Sequence, residues 1–226
     1  MGKTKSIIIR AINYIRDDYR RQTLVLTLPS IPFDILYALF SALTAIVCHS
    51  AWLGTMSAYY LLLSYLRINV LYRTGRGRLS NNEKFSEINN YKHFSRTLIL
   101  VDFVLAGAVY LIIFNKVLHD YPQYLIYLVS FYVFYKVILA GINLGKANKS
   151  QSLTTISLRK IGIVDALVSL LILQWALIRQ FGNPLSDFAR LMNSTIGVLV
   201  WFVILIMSLT GLIHCRRLEY IKRKEE

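Results

Sequence analysis

The chain has 226 residues, 55% of them hydrophobic and 17% charged, with a mean hydropathy of +0.48. A water-soluble domain of this size needs more charge to cover its surface, so a membrane-embedded protein is expected. The net charge of +14 would suggest nucleic acid in a soluble protein, but its distribution along the chain, given below, excludes that partner.

Residues 1–28 read as a basic amphipathic segment. Ile7, Ile8, Ala11, Ile12 and Ile15 share one helical face, with Arg10, Arg16, Arg20 and Arg21 around the other. That pattern suits a helix lying in the cytoplasmic interface; a basic tail that only fixes orientation fits equally. Met1-Gly2-Lys3-Thr4-Lys5-Ser6 matches the N-myristoylation pattern, although one acyl chain adds little to a protein that crosses the bilayer repeatedly.

Residues 29–215 hold six apolar runs, at about 33–49, 52–72, 97–115, 123–144, 161–179 and 194–214. Each is long enough to cross roughly 30 Å of hydrocarbon as a helix, and none alternates polar with apolar like a transmembrane β-strand. The expected fold is an all-α integral membrane protein: six transmembrane helices in three hairpins, followed by a charged tail over 216–226.

Pro29 and Pro32 start the first span. Its Asp34, Ala38, Ser41, Ala45 and Cys48 form a stripe of mostly small residues suited to close helix contact. Cys48-His49-Ser50 makes a tight turn into span two, which carries Ser57, Tyr60, Ser64 and Arg67 along one face. The polar, basic stretch 72–95 is expected as a solvated cytoplasmic loop. Its Arg73-Thr74-Gly75-Arg76-Gly77-Arg78 lacks the Gly-Lys-Ser/Thr ending of a phosphate loop.

Span three places Asp102 early. Span four brings Tyr132, Lys136 and Asn143 close to one face, and its Gly141–Gly145 spacing favours helix contact or ends the helix. Span five carries Asp165 and Ser169. After an outer loop at 180–193, span six repeats small residues at Gly197, Ser208, Gly211 and Cys215.

Twenty-two of the 26 Lys and Arg residues fall in four clusters, at 1–21, 67–96, 146–160 and 216–224. With six spans, all four lie on one side, which by the positive-inside rule is the cytoplasm. Both termini are then cytoplasmic, and the basic loops are expected to attract anionic lipid head groups. Cys48 and Cys215 end up on opposite faces, which excludes a disulfide between them within one chain.

Three blocks carry a resemblance. Tyr135-Lys136-Val137-Ile138-Leu139-Ala140-Gly141-Ile142-Asn143-Leu144, the run from Val164 to Gln174, and Phe188-Ala189-Arg190-Leu191-Met192-Asn193 resemble a family of uncharacterised six-span membrane proteins from Gram-positive anaerobic bacteria. The resemblance extends from about Leu61 onward. It implies a bacterial plasma membrane and no mechanism.

Ionised groups inside apolar runs are costly and rare, so the candidate site is the set that breaks them: Asp34, Arg67, Asp102, Lys136, Asn143 and Asp165. At ~1.5 Å rise per residue, Arg67, Asp102 and Asp165 lie roughly 7 Å below the inner interface and Lys136 roughly 12 Å. A faint repeat links two of these acids: Arg96 to Asp102 matches Arg159 to Asp165 at an offset of 63, sharing Arg, Val and Asp. Transporters build sites at such repeat junctions.

Two readings follow. The ring lines a cytoplasm-facing cavity of a small transporter-like or channel-like protein, or its members neutralise one another in a non-catalytic membrane partner that binds another complex or anionic lipid. A homo- or hetero-oligomer suits either. No nucleophile elbow and no metal-ligand spacing is visible, so neither an enzyme nor a metal or other cofactor is expected.

Overall fold

The computed structural model describes residues 30–47, 49–77, 83–114, 123–145, 153–182 and 186–225. They form six α-helices: α1 (Ser30–Val47), α2 (Ala51–Gly77), α3 (Glu83–Phe114), α4 (Gln123–Gly145), α5 (Leu153–Phe181) and α6 (Asp187–Glu225). The described residues contain no strand. The expected interfacial helix at 1–28 lies outside them.

Local chemistry explains several helix ends. Pro32 sits in the first turn of α1, where its missing N–H is no loss. His49 turns the chain at φ 48°, a left-handed conformation in which His is enriched among non-glycine residues. Ser50 then opens α2, its Oγ accepting from the Leu53 N–H at 3.5 Å. Ser186 caps α6, accepting from the Ala189 N–H at 3.1 Å, with Asp187 against the positive helix end. Within the helices, Thr44, Ser95, Thr97, Ser157 and Thr210 donate to carbonyls three or four residues back. A hydroxyl in hydrocarbon is satisfied this way at little cost.

Three helices form the centre. The fully buried positions Leu98, Val101, Leu105 and Ala108 of α3, and Ile161, Val164, Val168 and Leu171 of α5, recur at steps of three and four. They meet Met56, Tyr59, Leu63 and Leu66 of α2 in one core. Each central helix is backed by an outer one: α1 packs on α2, α6 on α3 and α4 on α5. Burial follows that plan, with 50% of the apolar window of α3 and 56% of that of α5 covered, against 17% for α1 and 28% for α6. The uncovered faces are apolar: Phe40 and Leu43 on α1, Phe131 and Ile138 on α4, Phe202 and Ile213 on α6.

Neighbouring directions alternate. Tyr37 meets Tyr60 and Asp34 meets Arg67 between α1 and α2. Trp52 meets Trp175 and Arg67 meets Asp165 between α2 and α5, and Tyr127 meets Phe181 and Lys136 meets Asp165 between α4 and α5. In each pair, residues later on one helix meet earlier ones on the other, so the helices are antiparallel.

The expected hairpins need correcting. α1 and α2 form one, but α3 is not packed as a hairpin with α4; its main partners are α2 and α6, with α5 also against it. The small-residue stripe of α6 is the cause. A Cβ added at Gly197 would stand 2.8 Å from Val109 Cγ1, and one at Gly211 would stand 2.5 Å from Ser95 Oγ, so the two backbones approach through the glycines. Gly141 of α4 meets nothing within 4 Å and makes no such contact.

Among the described residues, four helices, α1, α3, α5 and α6, are long and apolar enough to cross a membrane. α2 falls short because Trp52, Tyr59, Tyr60, Tyr65 and Arg67 dilute its apolar run, and the apolar stretch of α4 is the shorter Val133–Ile142. The stretch 72–95 is mostly helix, since α2 continues to Gly77 and α3 begins at Glu83. Tyr91 and Phe94 continue the buried face of α3 outward and hold that extension. The stretch 180–193, expected as an outer loop, is also partly helical, because α5 runs to Phe181 and α6 starts at Asp187.

Candidate functional site

Four of the six predicted residues meet in one chain of alternating charge. Arg67 of α2 donates through Nη1 to Asp34 Oδ2 of α1 at 2.5 Å and through Nη2 to Asp165 Oδ2 of α5 at 2.7 Å. Lys136 of α4 donates to the other oxygen, Asp165 Oδ1, at 2.8 Å and reaches Ser169 Oγ at 3.5 Å. The order Asp34–Arg67–Asp165–Lys136 sums to zero charge and ties four helices together. Its side chains are 1%, 3%, 6% and 11% exposed in that order, so the chain is most open at the lysine.

Local sequence explains the convergence. Asp34 lies on the small-residue stripe that α1 buries against α2. Arg67 extends the Tyr60–Ser64 face by one turn, and Asp165 and Ser169 are stacked four residues apart on α5. In a medium without water, a lone ion of either sign would be prohibitive, whereas alternation gives each carboxylate a donor.

Aromatic rings flank the chain of charges on its Tyr60 side. Tyr60 lies edge-on to Tyr37 and to Tyr59, with ring centroids 4.6 and 5.1 Å apart. Lys136 Nζ stands 5.8 Å from the centre of the Tyr60 ring, within the range of cation–π attraction. Three buried polar atoms beside the chain find no partner among the described residues: Tyr59 Oη, Ser64 Oγ and Arg67 Nε. Tyr59 is within electrostatic reach of Asp34, Arg67 and Asp165, and Ser64 precedes Arg67 by one turn.

The other two predicted residues stand apart. Asp102 of α3 is 2% exposed, with Oδ1 unpartnered among the described residues. Its helix faces the same core, but it joins neither cation of the chain. Asn143 lies in α4, and its side chain is outside what is described. The repeat is unequal in the same way: Arg159 is buried while Arg96 is exposed. α3 and α5 do run parallel, with Glu87 near the start of α3 accepting from Thr154 N and Oγ1 near the start of α5 at 3.2 and 3.3 Å.

A second polar group, not evident in the sequence, joins the start of α3 to the end of α6. Lys92 pairs with Glu219 at 2.7 Å. Lys160 donates to the Met207 carbonyl of α6 at 2.9 Å and lies 5.5 Å from the Tyr91 ring centre. Lysines flanking apolar runs looked like topology signals alone; only the step from Lys92 to the buried Tyr91 and Phe94 hinted at a packed position.

Among the described residues, no group of three His, Cys, Asp or Glu is placed to hold a metal ion. No known protein family, curated protein or solved structure matches the chain.

Proposed function

We propose that the chain is a six-span protein of a bacterial plasma membrane, with both termini cytoplasmic, and that the interior between α2 and α5 binds and passes a small ion or polar solute. The alternation of helix direction supports six crossings, and the clustering of Lys and Arg supports the orientation. α2 and α4 cross as the inner and outer members of a bundle whose remaining helices supply the apolar cover. The resemblance to uncharacterised six-span proteins agrees with this plan and adds no activity.

One observation carries the transport reading. The charge chain sits beside three buried polar atoms that have no partner among the described residues, Tyr59 Oη, Ser64 Oγ and Arg67 Nε. Polar atoms left without partners at such depth mark a place that takes water or a polar guest. The ion pairs act as a closed inner gate: Lys136, the most exposed member, is the first to exchange Asp165 for water or solute, and the remaining charges follow.

The test is thiol accessibility, in a background where Cys48 and Cys215 are replaced by alanine. A cysteine at Ser64 leaves every charge in place. A membrane-impermeant thiol reagent added from the cytoplasmic side is expected to modify it far faster than a cysteine at the fully buried Leu105. Equal, negligible rates at both positions would defeat the transport reading.

The neutrality of the four charges supports a second reading, a static clasp inside a non-catalytic membrane partner. That reading predicts the unreactive outcome, together with a second chain that remains bound through purification in mild detergent.

A further inference from the structure

One buried acid takes no part in the charge chain. Ser95, Asp102 and Val109 are seven residues apart on α3, close to two helical turns, so they share one face. Ser95 and Val109 are the residues against which Gly211 and Gly197 of α6 close. Asp102 therefore lies on the α3 side of that seam, halfway between the two glycine contacts. Ile204, halfway between the glycines on α6, is fully buried, and Asp102 itself is 2% exposed.

Among the described residues, Asp102 is given no donor. Its Oδ1 has no partner there. The stretch of α6 from Gly197 to Gly211 contains no titratable side chain, and its hydroxyls serve their own helix. Ser208 Oγ donates to the Leu205 carbonyl and Thr210 Oγ1 to the Ile206 carbonyl, both at 2.8 Å. On α3, Ser95 and Thr97 likewise donate to the Tyr91 and His93 carbonyls.

The charged groups on the helices around α3 are engaged elsewhere or distant. Arg67 of α2 holds Asp34 and Asp165, and Lys160 of α5 donates to the Met207 carbonyl. Arg159 of α5 stands level with Lys92, judged from the Glu87–Thr154 contact. That is about 15 Å from Asp102 along the helix at the α-helical rise. Arg73 of α2 and Arg96 of α3 lie around His93 at the same end, and His214 and Glu219 of α6 lie beyond Gly211.

A lone carboxyl held away from water sheds its charge rather than staying ionised. Asp34 and Asp165 each receive donors from a cation; the seam offers Asp102 only apolar neighbours and spent hydroxyls. We propose that Asp102 is a proton-binding site built into the α3/α6 seam. The carboxyl holds its proton while α6 is seated. When α6 lifts and water enters, the O–H bond breaks and the proton passes to that water. The closed seam thus binds one more proton than the open one, so rising pH favours opening. The ligand is a proton and needs no cavity. The site is separate from the α2/α5 interior, so the proposal stands whether or not that interior transports.

The test uses the full chain in mild detergent and compares it with Asp102→Asn, both with Cys48 replaced by alanine. Infrared difference spectra at neutral pH are expected to show the carbonyl stretch of a protonated carboxyl that Asp102→Asn removes. Cys215, fully buried on the same stripe of α6 and within electrostatic reach of Tyr91 of α3, reports the seam. Its rate of reaction with a small neutral thiol reagent, divided by the rate in Asp102→Asn, cancels the titration of the thiol itself. That ratio is expected to rise with pH by up to about tenfold per pH unit, the limit for one linked proton. A spectrum without the protonated band overturns the proton site, and a ratio flat with pH overturns its link to the seam. Asp102→Leu gives the same comparison should Asp102→Asn fail to fold. Failure of both uncharged variants would show that the seam requires the charge, which also overturns the proposal.

Discussion

Asp165 is the hub of the buried charges, and its replacement has the largest expected effect. It alone contacts two cations. Asp165→Asn leaves Arg67 and Lys136 to share Asp34, whereas Lys136→Leu leaves Asp165 still paired with Arg67. Breaking a buried pair costs about 3–5 kcal/mol, so Asp165→Asn should approach that loss. Lys136→Leu should cost less, because the lysine is partly open to its surroundings. Combining the two is expected to cost less than their sum, with a coupling of about 0.5–3 kcal/mol. Arg67→Gln should be as damaging as Asp165→Asn, and adding Asp34→Asn should recover part of the loss. Denaturation in detergent measures all of these; additive losses would show that the four side chains do not act as one network.

These residues were legible in the sequence because each breaks an apolar run, and Asp34, Arg67, Lys136 and Asp165 do converge. Their pairing was not legible. Depth along a helix can be counted from the sequence, but the direction in which a residue faces depends on which helices are neighbours. Asp102 was expected at the depth of Asp165, yet Arg67 of α2 bonds Asp34 and Asp165 instead. Tyr59 was hidden for another reason: a tyrosine in a membrane helix is ordinary until its surroundings are known.

At the scale of the helix, the contact of α6 with α3 sets a sharp steric limit. Ala at Gly211 would place a methyl 2.5 Å from Ser95 Oγ and 3.3 Å from Ser95 Cβ. Gly211→Ala should therefore destabilise the protein by about 1–3 kcal/mol, the usual cost of overpacking. Ser95→Ala alone should be nearly neutral, because that hydroxyl serves only its own helix at the Tyr91 carbonyl, and combined with Gly211→Ala it should restore much of the loss. Thermal unfolding of the four proteins decides the matter, and no rescue would mean that the backbones, not the serine, collide. The stripe itself was plain in the sequence at Gly197, Ser208, Gly211 and Cys215. Its partner was not, since small residues announce a close approach without naming the other helix. The extension of α3 back to Glu83 was missed because the apolar periodicity fades there, leaving only Tyr91 and Phe94 as markers.

Taken whole, the molecule is three central helices each carrying one outer helix. α6 has 39 residues and spans about 58 Å at 1.5 Å per residue, more than a bilayer with its head groups. Its C-terminal end, which carries Glu219, is tied to α3 by the Lys92–Glu219 pair. Cysteines at 92 and 219 should be joined by a short bifunctional thiol reagent, whereas cysteines at the facing depth of α3 and α4 should not. A tag placed after Glu219 should be protected from protease in intact cells. Crosslinking of α3 to α4, or an external tag, would overturn the packing or the orientation respectively.

The joining of α3 to α6 across two intervening helices has a bearing on how the protein is made. α1 with α2, and α4 with α5, can dock as soon as the second of each leaves the ribosome. α3 cannot. Its groove at Ser95 and Val109 stays open to lipid, or to a membrane chaperone, through the synthesis of α4 and α5, and is filled only when the glycine-lined helix arrives. Quality control that senses an unfilled groove would thus have one late event to monitor, and faults in α6 would be punished before faults in α1.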